Sequence, residues 1–434
     1  MQDLHYTYDP AGNITCIRDE AQQAVFFRNR RVEPSTDYTY DALYRLIEAT
    51  GREHLGQNGR PIPHSPNDAK RINLPHPGDG NAMGCYLERY IYDEVGNFLS
   101  MQHQGTDPSH PGWTRAYVYN EPSLIEPGKV SNRLSHTQVG NGTIATPEVY
   151  TYDAHGNMTS MPRLSQMDWD FNDQLQGVDL GGGGTAYYVY GTSGERVRKM
   201  VERQNGTLKE ERIYLGGFEV YRRYHGNGTM VKLERETLHI MPARQAGGDD
   251  KDRIALVETR TQGNDSSPGQ LIRYQLGNHL SWVSLELDDD ARIISYEEYS
   301  PYGSTTYQAM NEQIKAARKR YRFTGKERDE ETGLNYHSAR YYAPWLGRWA
   351  STDPAGLVDG VNLYGYSQTN PILYSDPSGT QVKEPTTVDE LKYTTKEGTY
   401  MGLSREAWMK YVGMSIIERA HARRIPFRKI LLII

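Results

Sequence analysis

The sequence predicts an all-β protein built from stacked antiparallel hairpins, and three observations support this fold class. A Tyr-x-Tyr-Asp pattern recurs along the chain, and the residues before Thr380 show almost no helical periodicity. The composition includes 33 Tyr and 42 Gly among 434 residues, against only 7 Phe. Because each buried Tyr hydroxyl needs a hydrogen-bond partner or water, this composition favours a thin, polar, strand-rich wall over a compact aliphatic core.

The Tyr-x-Tyr-Asp repeat has the chemistry of a β-hairpin. Tyr-x-Tyr alternates as a strand does, Asp-x-x-Gly-Asn reverses the chain, and alternating apolar residues begin the return strand. Copies occur at residues 6–15, 38–46, 90–99, 117–120 and 150–159. A hairpin that cannot bury its face alone is stabilised by its neighbours, so serial copies predict a continuous stacked sheet. The strand pattern continues from Ala186 to Tyr221.

Helical patterns are confined to short stretches. Residues 310–320 predict one basic surface helix. After Thr380, residues 403–414, with Ser404 as N-cap, and residues 415–424 predict two more. The predicted class is therefore all-β with a short α-helical C-terminal segment.

Composition and charge argue against several classes of function. Lys and Arg number 49 and Asp and Glu 55, a net charge of −6 that gives no reason to expect nucleic-acid binding. The two cysteines, Cys16 and Cys85, form neither a disulfide framework nor a zinc motif, and we interpret them as free thiols rather than a bridge. The sequence contains no phosphate-binding loop, serine-hydrolase elbow or zinc-protease motif. No cofactor and no metal are therefore expected.

The start of the chain leads directly into a repeat, with no signal peptide. The sequence also has no run of 18 apolar residues, so no transmembrane segment is expected. The abrupt start predicts that the chain is the C-terminal portion of a longer protein or one half of a two-chain assembly.

Two Asp-Pro-x-Gly tetrads mark the stretch 321–380. They begin at Asp353 and Asp376, 23 residues apart. Each tetrad has the composition of a turn, because Asp bonds the following backbone, Pro presets φ and Gly tolerates a positive φ. Two carboxylates brought together can instead share a proton, and one can then activate water. Both interpretations remain open on the residues alone.

The stretch 321–380 resembles the RHS-repeat-associated core, which closes the shells of RHS proteins, including the C components of bacterial Tc toxin complexes. The Tyr-x-Tyr-Asp copies likewise resemble the YD repeats of that family. The matching residues of the core have fixed spacing and are Gly325-Lys326-Glu327-Arg328-Asp329, Thr332-Gly333-Leu334, Ala339-Arg340-Tyr341-Tyr342, Pro344-Trp345, Gly347-Arg348-Trp349, Asp353-Pro354-Ala355-Gly356, Asp359-Gly360, Asn362-Leu363-Tyr364, Asn370-Pro371 and Asp376-Pro377-Ser378-Gly379. The resemblance implies a strand ribbon that spirals into a large hollow shell.

The resemblance also assigns chemistry. Arg340, Asp353 and Asp376 are similar to positions that serve aspartyl self-cleavage in Tc-type C components. In such a dyad one carboxylate is the base and the other the acid, since neighbouring like charges separate the two pKa values, and a guanidinium can hold the ionised partner. The scissile bond is expected between Thr380 and Gln381, where the family usually has an apolar residue after the glycine.

Other candidates for the site are weaker on the residues alone. Asp329 and Asp359 are lesser candidates for carboxylate roles, and Asp359 is more consistent with a turn. His279 is interpreted as a turn residue rather than a catalytic one.

The resemblance implies three domains. These are an RHS/YD-repeat β-shell over residues 1–320, the core with its aspartyl self-cleavage site over 321–380, and a variable C-terminal segment over 381–434, which is either cargo or a truncated toxin domain. The implied function is the shell component of a Tc-like or polymorphic toxin that encapsulates its C-terminal segment and releases it by single-turnover aspartic self-cleavage.

The implied partners are an upstream RHS-type B component or N-terminal extension, which would complete the shell, and the chain's own C-terminal cargo. The implied location is outside the cell, secreted or at the cell surface as part of a toxin complex. The alternative is a non-enzymatic YD-repeat adhesion or structural module, as in teneurins. The paired tetrads with Arg340 favour the toxin interpretation.

Overall fold

The computed structural model describes residues 2–55, 82–108, 110–123, 126–140, 147–203, 206–226, 228–242 and 253–383. Within these ranges the chain is built from β-strands and contains no α-helix, which confirms the all-β prediction. The helices predicted at 403–414 and 415–424 lie outside the described residues. None of the described residues belongs to a helix with the length and hydrophobicity that crossing a bilayer requires.

The strands are numbered in chain order. The first thirteen are β1 (Leu4–Tyr8), β2 (Ile14–Asp19), β3 (Val25–Phe27), β4 (Arg30–Val32), β5 (Ser35–Tyr40), β6 (Leu46–His54), β7 (Met83–Tyr92), β8 (Phe98–Gly105), β9 (Trp113–Val118), β10 (His136–Gly140), β11 (Glu148–Val149), β12 (Thr151–Tyr152) and β13 (Met158–Ser160). Then follow β14 (Met167–Trp169), β15 (Leu175–Gly181), β16 (Gly184–Tyr190), β17 (Arg196–Arg203), β18 (Leu208–Leu215), β19 (Phe218–His225), β20 (Met230–Ile240), β21 (Ala255–Gly263), β22 (Gln270–Gly277), β23 (Val283–Leu287), β24 (Ile293–Tyr299) and β25 (Thr305–Met310). The last four are β26 (Glu327–Arg328), β27 (Asn335–His337), β28 (Arg340–Ala343) and β29 (Arg348–Trp349).

Two large antiparallel sheets form the wall. The first has nine strands in the order β1-β2-β5-β6-β7-β8-β9-β10-β11, and the second has twelve, β14 to β25 in sequence order. Strands β26 to β29 make a separate four-stranded sheet, and the pairs β3-β4 and β12-β13 make two small ones. Almost every strand pairs with its neighbour in sequence, as stacked hairpins require.

The hairpin turns follow from the Asp of each repeat. Asp9 Oδ1 accepts the backbone N–H groups of Ala11 and Asn13, both at 2.9 Å, and its Oδ2 accepts the Asn13 side-chain amide at 2.8 Å. Asp93 and Asp153 make the same three bonds at their own turns. The register shifts by one residue at the second Tyr of the copies at 6–15, 38–46, 90–99 and 150–159. The local sequence therefore encodes these four hairpins. The copy at 117–120 ends β9, but β10 begins only at His136, so it forms no tight hairpin.

Tyrosine hydroxyls connect successive hairpins. The second Tyr of one copy donates to the first residue of the previous return strand: Tyr40 Oη to the Ile14 carbonyl at 2.7 Å, and Tyr92 Oη to the Leu46 carbonyl at 2.7 Å. Tyr190 Oη makes the equivalent bond to the Leu175 carbonyl at 2.8 Å. This pattern accounts for part of the Tyr-rich composition, since each of these three rings packs in or against the core while its hydroxyl is satisfied by backbone.

Residues 321–383 pack against both large sheets through an aromatic cluster. Phe323, Tyr342, Trp349 and Tyr366 are all essentially buried, and the Tyr342 and Tyr366 rings stack with their centroids 4.1 Å apart. Tyr342 Oη donates to the Tyr302 carbonyl at 2.9 Å, which ties β28 to the end of the second sheet. This stretch is thus part of the hydrophobic core.

The surface helix predicted at 310–320 is wrong. Strand β25 extends to Met310, a turn follows, and Lys319 and Arg320 then turn their charged groups inward from a stretch that is neither helix nor strand. Lys319 Nζ lies 2.9 Å from Glu297 Oε2, with both side chains fully buried, and Arg320 Nη2 lies 2.8 Å from Glu219 Oε2. Buried carboxylates need cationic partners, and this requirement outweighs the local helical preference.

Both cysteines are free, as the sequence predicted.

Candidate active site

Arg340 brings the two tetrads together. It begins β28, and its Nη2 atom lies 2.8 Å from Asp353 Oδ2 and 2.9 Å from Asp376 Oδ2. All three side chains are at least nine-tenths buried. The three residues that the sequence singled out therefore form one cluster, in which a single guanidinium nitrogen contacts both carboxylates.

The position of Arg340 is fixed from three further directions. Its Nε donates to the Gly379 carbonyl at 2.6 Å, and its Nη1 donates to the Leu363 carbonyl at 3.3 Å. The guanidinium carbon lies 4.2 Å above the ring centre of Trp349, a cation–π contact. Arg340 is thus a rigid support between the two turns.

Asp376 faces the backbone of the predicted scissile bond. Its Oδ1 accepts the N–H groups of Gly379 at 2.8 Å, Thr380 at 3.1 Å and Gln381 at 3.3 Å. The Gln381 nitrogen is the amide nitrogen of the bond between Thr380 and Gln381. The carboxylate therefore lies within hydrogen-bond reach of the atom that would leave during cleavage.

Asp353 occupies the other side of Arg340. Its Oδ1 accepts the Ala355 N–H at 2.8 Å. Burial raises the pKa of Asp353 above its ordinary value, although Arg340 acts in the opposite direction. Of the two carboxyls, Asp353 thus has a physical reason to hold a shared proton.

Both tetrads are also turns. Gly356 and Gly379 have φ values of +73° and +71°, in the left-handed region. At Gly379 an added Cβ would lie 2.7 Å from the His337 carbonyl oxygen and 2.9 Å from the Arg340 nitrogen. The two interpretations of the tetrads are compatible, because the turns direct the carboxylates toward Arg340.

Asp329 and His279 make contacts that stabilise the fold and do not contact the two tetrad carboxylates. Asp329 is fully buried and pairs with Arg196 and Lys199, each at 2.7 Å, in an ion network under β17. His279 lies in the turn after β22, and its Nε2 contacts the Ile372 carbonyl at 2.8 Å. Burial lowers the pKa of His279 to about 4, so the ring is a neutral donor that anchors the turn.

Asp359 lies closer to the site than its sequence indicated. Its Oδ2 accepts the Val382 N–H at 2.7 Å. Burial raises the pKa of Asp359.

His337 is a neighbour of the site that the sequence did not reveal. It pairs with Arg340 across the β27–β28 turn, and its Nδ1 donates to the Asp376 carbonyl at 2.7 Å. Burial lowers the pKa of His337 to about 3, so the ring is neutral and Nδ1 carries the proton. Its Nε2 is buried without a hydrogen-bond partner among the described residues. No local sequence signal marks it, because its role depends on a partner 39 residues away.

Comparison with known proteins identifies relatives of this chain among toxin subunits and RHS proteins. No family model matches the chain. Among curated proteins, the chain is 34% identical over 388 residues to the toxin subunit YenC2 of Yersinia entomophaga, covering 87% of this chain and 37% of the subunit. It is 23% identical over 335 residues to the probable deoxyribonuclease RhsA of Dickeya dadantii, covering 69% of this chain and 21% of that protein.

Solved structures agree with these relatives. The TcdB2-TccC3 complex matches with a TM-score of 0.70 and 32% identity, covering 87% of this chain and 17% of the solved chain. The structure of the Photorhabdus luminescens Tc holotoxin pore matches with a TM-score of 0.69 and 32% identity, with the same coverage. The present chain thus spans little more than a third of the YenC2 subunit. The chain is an RHS-repeat protein, similar to the C components of Tc insecticidal toxin complexes.

Proposed function

We propose that this chain forms part of the shell of a Tc-like toxin and cleaves itself once, between Thr380 and Gln381. The observation that carries the proposal is the position of Asp376. Its carboxylate contacts Arg340 through one oxygen and the Gln381 N–H through the other. This carboxylate is thereby connected to Asp353 through Arg340 and directly to the leaving nitrogen.

The reaction is hydrolysis of one peptide bond. The ionised carboxylate of Asp376 takes a proton from a water molecule as the water oxygen adds to the Thr380 carbonyl carbon. Protonated Asp353, in keeping with its raised pKa, gives its proton to the Thr380 carbonyl oxygen in the same step and takes a proton back from that oxygen when the C–N bond breaks. Asp376 then gives its proton to the Gln381 nitrogen, which is 3.3 Å away, and the C–N bond breaks. The products are a carboxyl group on Thr380 and an amino group on Gln381.

Arg340 has an electrostatic role in this scheme. Two carboxylates bound to one guanidinium nitrogen are held close enough for their charges to interact. Like charges at this separation favour a state in which one of them is protonated. The same cation lies 2.9 Å from Asp376 and offsets the negative charge that this carboxylate carries as the base.

The organisation of the whole protein follows from this proposal. Residues 1–320 would be shell, 321–380 the core that carries the protease, and 381–434 the released cargo. Strand β1 pairs only with β2 among the described residues, which leaves one edge open to further strands. We propose that an upstream B component or extension pairs there, that the shell encloses the cargo, and that the assembly acts outside the cell. The solved TcdB2-TccC3 complex, a structure similar to this chain, contains two components, and this supports a partner of this kind.

Asparagine variants of the dyad test the cleavage step. Asp353→Asn and Asp376→Asn keep the size and most hydrogen bonds of each side chain but cannot act as carboxyl acid or base. We expect each to slow cleavage at least about 100-fold, the lower end of the contribution of an acid–base group. Intact mass and N-terminal sequencing of the purified full chain should give a fragment of residues 381–434 that begins at Gln381 in the unmodified protein.

Asp93→Asn is the matched control, because Asp93 caps a repeat turn with the same kind of backbone bonds and lies outside the site. It should cleave at the unmodified rate. Wild-type cleavage by Asp353→Asn would show that the dyad is wrong. A fragment that starts at another residue would be compatible with the dyad but would show that the scissile bond is not between Thr380 and Gln381.

A further inference from the structure

Three consecutive N–H groups, beginning with that of the proposed scissile bond, each have their own acceptor. The Gln381 N–H contacts Asp376 Oδ1 at 3.3 Å, the Val382 N–H contacts Asp359 Oδ2 at 2.7 Å, and the Lys383 N–H contacts the Ser375 carbonyl at 2.8 Å. The shortest of the three bonds therefore comes from Asp359. The leaving side of the bond is held as a short extended segment.

The turn that carries Asp359 contributes little to the core. It is a 3-10 turn, Leu357–Asp359, with no buried residue, between Gly356 and Gly360. Leu357 and Val358 are 67% and 60% exposed. Fold stability thus gives no strong reason for a half-buried carboxylate at this position.

The carboxylate of Asp359 bonds outside its own turn. Asp353 and Asp376 both bond the backbone of their own tetrads, at Ala355 and Gly379. Asp359 instead reaches 23 residues along the chain to Val382. It also lies close enough to Asp376 and Arg340 for their charges to affect its titration. These contacts direct it toward the cleavage site.

We propose that Asp359 is a positioning residue for self-cleavage, a role that rests on the proposed function. By holding the Val382 amide, it fixes the residue after Gln381 and keeps the Gln381 nitrogen within reach of Asp376. A negatively charged acceptor makes a stronger bond to an N–H group than a neutral one. Loss of alignment of about 1 Å costs on the order of 100-fold in rate when a reaction depends on geometry.

Cleavage kinetics of two variants separate positioning from acid–base chemistry. Asp359→Ala removes the acceptor and should slow cleavage about 10- to 100-fold. Asp359→Asn retains an acceptor oxygen and should restore most of the rate, with an unchanged pH profile. Val358→Ala, in the same exposed turn, is the control and should cleave normally. Wild-type rates in Asp359→Ala would overturn the proposal. An Asp359→Asn variant as slow as Asp359→Ala would also overturn it, in favour of a chemical role for the charge.

Hydrogen exchange gives a second readout that does not require cleavage. In full-length protein carrying Asp353→Asn, which should stay intact, Asp359→Ala should increase deuterium uptake in the peptide that contains Val382. Asp359→Asn should increase it much less. Equal deuterium uptake in Asp353→Asn alone and in its Asp359→Ala and Asp359→Asn derivatives would show that Asp359 does not restrain the Val382 segment. If Asp353→Asn itself cleaves at the wild-type rate, the dyad fails, and the cleavage rates of Asp359→Ala and Asp359→Asn still decide the role of Asp359.

Discussion

Replacement of Arg340 by alanine tests whether the cluster is an ion network. The change removes the cation that contacts both Asp353 and Asp376 and leaves two buried carboxylates facing each other. Removing one partner of a buried ion pair costs about 3–5 kcal/mol, because the remaining charge is left uncompensated. We therefore expect Arg340→Ala to lower the free energy of unfolding by about that amount and to abolish rapid cleavage.

A double-mutant cycle turns this expectation into a measurement of coupling. In the Arg340→Ala background, Asp353→Asn removes the carboxyl group that lies beside Asp376 without a cation between them, and it should recover stability by about 1–3 kcal/mol. With Arg340 present, the same substitution removes a favourable partner and should not stabilise the protein. Arg340→Lys keeps the positive charge but lacks the planar guanidinium. Its free energy of unfolding should therefore lie between those of the unmodified protein and Arg340→Ala.

Urea unfolding monitored by tryptophan fluorescence measures these differences, since Trp349 lies directly under the guanidinium. Intact mass must show that the compared samples share one cleavage state. A cost below about 1 kcal/mol for Arg340→Ala would refute the network. An equal effect of Asp353→Asn in both backgrounds would refute the coupling.

Two further predictions concern the turn and the acid response. Gly379→Ala should slow cleavage and destabilise the protein, because φ is +71° and the new Cβ would lie 2.7 Å from the His337 carbonyl oxygen; a normal rate and unfolding midpoint would contradict this. Burial alone would raise the pKa of Glu297, but Lys319 and Arg322 lower it to about 2. A carboxylate with a depressed folded-state pKa contributes stability above its unfolded pKa, and that stability is lost as pH falls through the folded pKa. The urea midpoint should thus decrease from about pH 4.5 downward, and a midpoint that stays constant to pH 3 would count against the buried pairs.

The hairpins were predictable because their determinants are local. Asp9 bonds the backbone of Ala11 and Asn13 within its own turn, so a short pattern is enough to specify the reversal. The tyrosine contacts are different, because Tyr92 donates to a carbonyl 46 residues earlier. Composition could indicate that such partners exist, but only the stacked structure identifies them.

The same distinction explains the wrong prediction of a helix at 310–320. The basic residues after Met310 were assigned to a surface helix, since their cationic pattern is local while their partners are remote. Arg320 contacts Glu219, 101 residues earlier in the chain. Asp359 does lie in a turn, as its sequence indicated, but its partner Val382 follows only after the second tetrad and could not be found from local sequence. The convergence of Arg340 on the two tetrads was predictable through the family resemblance, not through residue spacing alone.

The anchoring of the core implies that the proposed cleavage depends on completion of the wall. The segment between the two tetrads is attached to two separate repeat hairpins, those of the copies at 38–46 and 150–159. Tyr364 Oη donates to the Gly156 carbonyl at 2.8 Å, and Asn370 Nδ2 donates to the Tyr44 carbonyl at 3.0 Å. These acceptors lie in turns more than 100 residues apart in sequence, so both contacts exist together only after the hairpins have stacked. Because Arg340 must meet both tetrads at once, the proposed acid–base pair would assemble with the stacked sheet rather than before it.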